Sequence, residues 1–256
     1  MSAMPILRCH DLSCGYAGAL VLHGIDFAVA PGEIVTVLGG SGTGKSTLLK
    51  TAIGLLRPAA GTVELFGLPL YRPDGALRSS LLSKVGMVFQ RDALFGSVSL
   101  LENLLLPLRE LTRLPAELAR QLARAKLALV HLEALQHRLP GEVSGGQSKR
   151  VALARATMLD PSLLLCDEPT SGLDPVVAAQ IDRVLLQFRD TLGVAIVAVT
   201  HDVASVQTIS DRVILLRDGA IYAQGTVSEL ELDRRPPVHD FFHRLPTDTT
   251  RSQVER

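Results

Sequence analysis

The chain has 256 residues, 47% apolar and 20% charged, with no low-complexity tract, enough for one buried core or one core with a subdomain attached. Lys plus Arg and Asp plus Glu number 26 each, and this zero formal charge offers no electrostatic footprint for nucleic acid as a partner. The longest uninterrupted apolar run, Val194 to Val199, falls far short of the roughly 18 residues of a membrane-crossing helix, and MSAMPILRCHD at the start lacks a signal-peptide pattern. Cys9, Cys14 and Cys166 form an odd count without paired spacing, which reads as reduced thiols in a cytoplasmic protein.

Residues 1 to about 90 are strand-rich. Ile25, Phe27 and Val29 alternate, Pro31-Gly32 marks a turn, and EIVTVL (Glu33 to Leu38) reads as a buried strand. A helix is expected from Gly44 to about Leu55, then short strands in GTVELFG and KVGMVFQ. From about Asp92 to Asp160 leucine, alanine, arginine and glutamate dominate, and SLLENLLLPLREL and PAELARQLARAKLALVHLEAL have helical periodicity. After Pro161 the β/α rhythm resumes: strand SLLLCDE, a helix from Pro175 to about Arg189, strand VAIVAVT, a helix from Asp202 and strand RVILLRDG. Beyond Arg234 the tail is polar and proline-marked, with an amphipathic patch at Phe241 and Phe242, expected to pack on a neighbouring subunit or a partner. Alternation interrupted once predicts a parallel α/β core carrying an inserted α-helical subdomain at about 92–160, with 1–234 as the domain and 235–256 as the tail.

GGSGTGKST (Gly39, Gly40, Ser41, Gly42, Thr43, Gly44, Lys45, Ser46, Thr47) fits G-x-x-x-x-G-K-[ST] between a strand and a helix. Glycines let the loop wrap a phosphate with backbone N–H donors, and the following helix N-terminus adds about half a positive charge. Lys45 would bridge the outer phosphates of a nucleotide and the Ser46 hydroxyl would ligate Mg²⁺. Asp167 and Glu168 end another expected strand: Asp167 to hold Mg²⁺, directly or through water, Glu168 to orient and deprotonate an attacking water.

VSGGQSKR, Val143 to Arg150, raises a question, because it reads as a second anion-ready helix start. Ser144 suits an N-cap, Gln147 completes a capping box, and two glycines leave the first backbone N–H groups bare. A second cradle is unnecessary for the phosphate already gripped by Gly39–Ser46. It makes sense if it meets the γ-phosphate held by a second copy, in a head-to-tail pair with two composite sites.

Together with VFQ at Gln90, LLLCDEP, SGLD at Ser171 to Asp174 and VTHD at His201, these motifs resemble, in order, those of ATP-binding-cassette (ABC) ATPase subunits from about Leu7 to about Leu230. The resemblance implies a P-loop NTPase fold with a parallel-sheet core, an N-terminal antiparallel β subdomain and the helical insertion. It also implies that Tyr16 stacks on adenine, that Gln90 sits near Mg²⁺ and the lytic water, and that Ser144, Gly145, Gly146 and Gln147 contact the opposite ATP. Ser171 to Asp174 would couple the two sites, and His201 would hold the γ-phosphate and support Glu168. Val143 stands where leucine is usual and Ser148 where a longer polar side chain is commoner, both mild departures.

One cassette without a long heptad insertion fits transport better than DNA repair or translation. FQRDALFGSVSLLENLLLPLRELTRLP, THDVASVQTISDRVILLRDGAIYAQGT and PPVHDFFHRLP are similar to the ATPases of MCE-type (Mla) phospholipid transport systems, while SGLDP is the general ABC form. That resemblance implies a homodimer on the cytoplasmic face of the inner membrane, permease subunits, an MCE-domain lipid-binding protein and a STAS-domain regulator. An ATPase for small-solute import or lipoprotein release, or a regulatory ABC protein that moves nothing, remains the alternative.

Overall fold

The computed structural model describes residues 4–90 and 92–243. β1 (Leu7–Tyr16) and β2 (Ala19–Val29) form an antiparallel hairpin across Ala17-Gly18, both at positive φ, the handedness a tight hairpin turn requires. β3 (Ile34–Leu38) leads through the glycine-rich loop into α1 (Lys45–Ala52). That helix stops before the expected Leu55 because Gly54 turns left-handed and the Leu55 N–H bonds back to the Lys50 carbonyl. β4 (Ala60–Leu65) pairs with β1 and β5 (Leu68–Pro69) with β4, giving an antiparallel sheet in the order β2-β1-β4-β5. A short α2 (Ser79–Leu82) precedes β6 (Val85–Val88).

Three helices then follow, α3 (Leu100–Leu111), α4 (Ala116–Leu129) and α5 (Gly145–Ala156). The expected run to Leu135 breaks after α4, where His131 takes a positive φ; the Arg150 guanidinium caps the Val130 carbonyl at 3.0 Å. The α/β rhythm returns with β7 (Leu163–Asp167), α6 (Pro175–Leu192), β8 (Ala195–Val199), α7 (Val203–Ile209), β9 (Arg212–Arg217), β10 (Ala220–Gly225), α8 (Val227–Glu231) and α9 (Pro236–Phe242). α6 outlasts Arg189 and is ended by left-handed Gly193.

The main sheet has the order β10-β9-β3-β8-β7-β6, parallel except for the β10 edge. Every residue of β3, β7 and β8 is buried, and successive side chains serve opposite faces. Ile196 and Ala198 join the core under α3–α6, while Ala195, Val197 and Val199 join the core shared with α1 and the antiparallel sheet. Strand-rich residues 1–90 are thus divided between two sheets: β1, β2, β4 and β5 in the antiparallel one, β3 and β6 in the parallel one.

A third, smaller core corrects the expectation for the tail. Val238 is fully buried and Phe242 is 8% exposed, both packed with Leu38, Val203, Val206 and Leu230 of the same chain. Proline in the first turn of α9 costs nothing there, because those N–H groups lack helical partners anyway. Phe242 is therefore not left over for a neighbouring subunit; Phe241 is half-buried at the rim of a cleft beside Asp202 and Asp240. The tail beyond His243 lies outside the described residues. Replacing Phe242 with alanine should lower the thermal midpoint by roughly 5–10 °C, the effect of about 3 kcal/mol lost from a packed site. An unchanged melting curve would mean that α9 leaves the core before the domain unfolds.

Candidate active site

Four loops meet at the carboxyl edge of the parallel strands, where open α/β sheets bind ligands. The glycine-rich loop follows β3, Gln90 follows β6, Glu168 follows β7 and His201 follows β8. With Val21 from β2 they line a cavity of about 690 Å³. Val21 carries no motif and its place there was not readable from the chain.

Gly44 stands at the N-cap of α1 with φ +98°, and a Cβ there would fall 2.5 Å from Leu22 Cδ2, so side chain and backbone both demand glycine. The Lys45 ammonium, 9% exposed, donates to the carbonyls of Gly39 and Gly40, each at 2.9 Å. Burial pushes its pKa below the ordinary lysine range, and the carboxylates of Glu168 and Asp167 oppose that shift. Ser46 Oγ donates to Asp167 Oδ1 at 3.0 Å, tying the first turn of α1 to the end of β7. Burial raises the Asp167 pKa; the Ser46 hydrogen bond pulls it down, Glu168 pushes it further up, and Lys50 and Lys45 pull it down.

Glu168 occupies the left-handed region at φ +55°, a conformation costing a non-glycine residue about 1–2 kcal/mol. Its N–H bonds to the Val199 carbonyl at 2.9 Å and its own carbonyl accepts from the Ser171 N–H at 3.2 Å, which hold it there. His201 Nδ1 lies 2.7 Å from Glu168 Oε2, with the imidazole largely exposed and the carboxylate 12% exposed. The contact lacks hydrogen-bond alignment, so Oε2 is a buried oxygen without a hydrogen-bond partner.

These features fit a triphosphate with Mg²⁺. Lys45, its ammonium held by two loop carbonyls, lines the cleft, and the paired hydroxyl and carboxylate of Ser46 and Asp167 are hard oxygen donors suited to that ion. The orphaned Glu168 oxygen suits a positioned water. Ser46 and Asp167, with Gln90, would hold Mg²⁺, which supplies charge neutralisation on the phosphates.

The remaining expected residues are not in this cleft. Ser144 and Gln147 form the expected capping box: Ser144 Oγ accepts from the Gln147 N–H at 3.3 Å and Gln147 Oε1 from the Ser144 N–H at 2.9 Å. Of the two glycines only Gly145 is exposed. Gly146 is buried, and a Cβ there would fall 2.2 Å from Val177 Cγ1, so the packing of α5 on α6 also demands glycine there. Asp174 accepts from the Val176 and Val177 N–H groups at 3.0 and 3.1 Å, the N-cap of α6. Tyr16, at the end of β1, is 47% exposed and does not line the cavity.

The ABC transporter family profile matches residues 22–171. The probable ribonucleotide transport ATP-binding protein mkl of Mycobacterium tuberculosis is 35% identical over 237 residues, covering 93% of this chain and 66% of that protein, so the chain spans just under two thirds of that relative. The intermembrane phospholipid transport system ATP-binding protein MlaF of Haemophilus influenzae is 36% identical over 225 residues, 88% of this chain and 85% of the relative. The methionine import ATP-binding protein MetN of Carboxydothermus hydrogenoformans is 36% identical over 231 residues, 89% and 68% respectively. Among solved structures, cbiO1 of Clostridium perfringens superposes with TM-score 0.79 at 30% identity, covering 92% of this chain and 98% of that one. The dimeric post-hydrolysis cassette MJ0796 with ADP and Pi superposes with TM-score 0.77 at 29% identity, covering 86% and 98%. A parallel sheet with a P-loop on its carboxyl edge, an antiparallel sheet, a helical insertion and this likeness lead to one conclusion: the chain belongs to the ABC transporter family.

Proposed function

We propose that two copies of this chain close head-to-tail on two ATP molecules and drive an MCE/Mla-type phospholipid transporter from the cytoplasmic face of the inner membrane. The observation that carries the lipid reading is the likeness to MlaF over 85% of that relative's length, joined to the similar stretch Phe89 to Pro115. A methionine-import relative at the same identity supports a small-solute importer as the second reading.

Each site draws on both copies. Lys45 and the loop Gly39–Thr47 bind the phosphates, Ser46, Asp167 and Gln90 hold Mg²⁺, and Tyr16 stacks on adenine. Glu168 accepts the proton of the attacking water, and His201 keeps that carboxylate in place while touching the γ-phosphate. Ser144 to Gln147 of the opposite copy complete the site, which is consistent with their position outside the cleft of their own chain. Ser171 to Asp174 connect the two sites: Leu173 lies against Gly145 of the VSGGQ signature (Val143–Gln147), and Asp174 fixes the start of α6. A small apolar hollow formed by Ala93, Phe95, Leu106 and Pro107, beside Glu110 and Arg155, gives the permease a seat on the loop that carries Gln90. An MCE-domain protein and a STAS-domain regulator complete the expected assembly.

Lys45→Ala should weaken ATP binding about 100-fold, the scale of losing a buried charged partner, as read by fluorescent-nucleotide titration; undiminished affinity would remove the P-loop assignment. Glu168→Gln should reduce turnover by ~10²–10⁴-fold and accumulate a dimer with MgATP on gel filtration. A purely monomeric elution profile would count against two-copy closure. In proteoliposomes holding the complete transporter, MgATP should drive transfer of labelled phospholipid, abolished by Glu168→Gln; uptake of a small solute instead would redirect the assignment to import.

A further inference from the structure

Lys149 lies in α5, between the signature and the interior of the fold, and is 8% exposed. Its ammonium donates to the Gln90 carbonyl at 3.3 Å and lies 3.5 Å from Asp92 Oδ1, an ion contact that makes no hydrogen bond. Asp92 Oδ1 is buried with no hydrogen-bond partner. Further along the same helix, Arg155 donates from Nη1 to the Ala93 carbonyl at 2.8 Å and from Nη2 to the Asp92 carbonyl at 3.2 Å. The signature helix therefore grips the segment around Gln90 through two cations. At the far end of that segment, the fully buried Asn103 of α3 accepts from the Phe95 N–H at 2.8 Å and donates to the Phe95 carbonyl at 3.1 Å.

The charges make this a specific link. A buried ammonium beside a carbonyl and a carboxylate is worth keeping only while both partners stay in reach, because each charge left unpaired in the interior is costly. The loop and the helix are consequently held in register. Phe95, 58% exposed in the hollow proposed for the permease, stands two residues beyond Ala93, whose carbonyl Arg155 ties to α5.

We propose that Lys149 is a positioning residue that makes the Gln90 loop and the signature helix move as one body. Through it, engagement of the loop by a permease sets the pose of Ser144–Gln147 toward the ATP held by the second copy. This inference rests on the two-copy reading above.

The test uses the full chain carrying Glu168→Gln and Phe95→Cys, labelled with an environment-sensitive thiol fluorophore. Cys9, Cys14 and Cys166 are all buried, so the label goes to position 95. In this parent, MgATP produces both a dimer on gel filtration and an emission change. Adding Lys149→Met should shrink the emission change about threefold or more, with ATP affinity and dimer yield within about twofold of the parent, and Lys149→Arg should restore it. With Glu168 and Phe95 intact, Lys149→Met should lower kcat about three- to thirtyfold and leave KM for ATP within about twofold, a split that general loosening of the fold would not give. An undiminished emission change in Lys149→Met overturns the proposal. Should that variant not fold, Lys149→Met with Asp92→Asn removes both charges together, and a full emission change in that pair overturns it equally. A parent that binds ATP without dimerising overturns the two-copy reading and this inference with it, whereas a dimerising parent isolates the question of Lys149.

Discussion

The candidate site depends on the complete burial of three parallel strands. β3, β7 and β8 have no exposed residue, and side chains from both of their faces are locked into separate cores. Close-packed interiors yield little to small forces, so the loops leaving the strand ends inherit that rigidity. The P-loop, the Asp167-Glu168 pair and His201 each begin within a few residues of a buried strand end. The candidate site groups on three loops can then be held close together without a dedicated network for each.

Charge is concentrated where the packing is firmest. Lys45, Asp167 and Glu168 bring one cation and two anions into a largely dehydrated corner. Burial and their mutual attraction act in opposite senses on Lys45, and on Asp167 burial prevails over Ser46 and the lysines. Such an arrangement is poorly compensated by itself, as the unpartnered Glu168 oxygen and the left-handed Glu168 backbone both testify. Local cost of this kind gathers at functional sites, and here it falls on the residue assigned to the attacking water.

Much of this was legible because the signals are local. A strand-loop-helix frame around GGSGTGKST, a capping box in SGGQ and an apolar run ending in Asp-Glu each announce their own geometry over a few residues, and each took its expected form. What escaped were features decided at long range. β1 and β10 have mixed patterns and owe their state to the neighbours they pair with. That Gly146 also lets α5 pack closely on α6 is a fact contained in Val177, some thirty positions on. Val21 lines the cleft only because the hairpin folds over the P-loop, and α9 joins the core because Leu38 and Val206 lie where Phe242 can reach them.

The two carbonyls that Lys45 grips in its own loop bear on how firmly the proposed site would hold a nucleotide. A lysine solvated by Gly39 and Gly40 ties the glycine-rich loop around its own charge. On the proposed reading, a phosphate would exchange partners with those carbonyls instead of capturing a naked cation, so the gain in affinity would be the difference between two good arrangements. The same exchange would run backwards on release, since the ammonium has partners within reach. Grip would thus be moderated on entry so that exit stays quick.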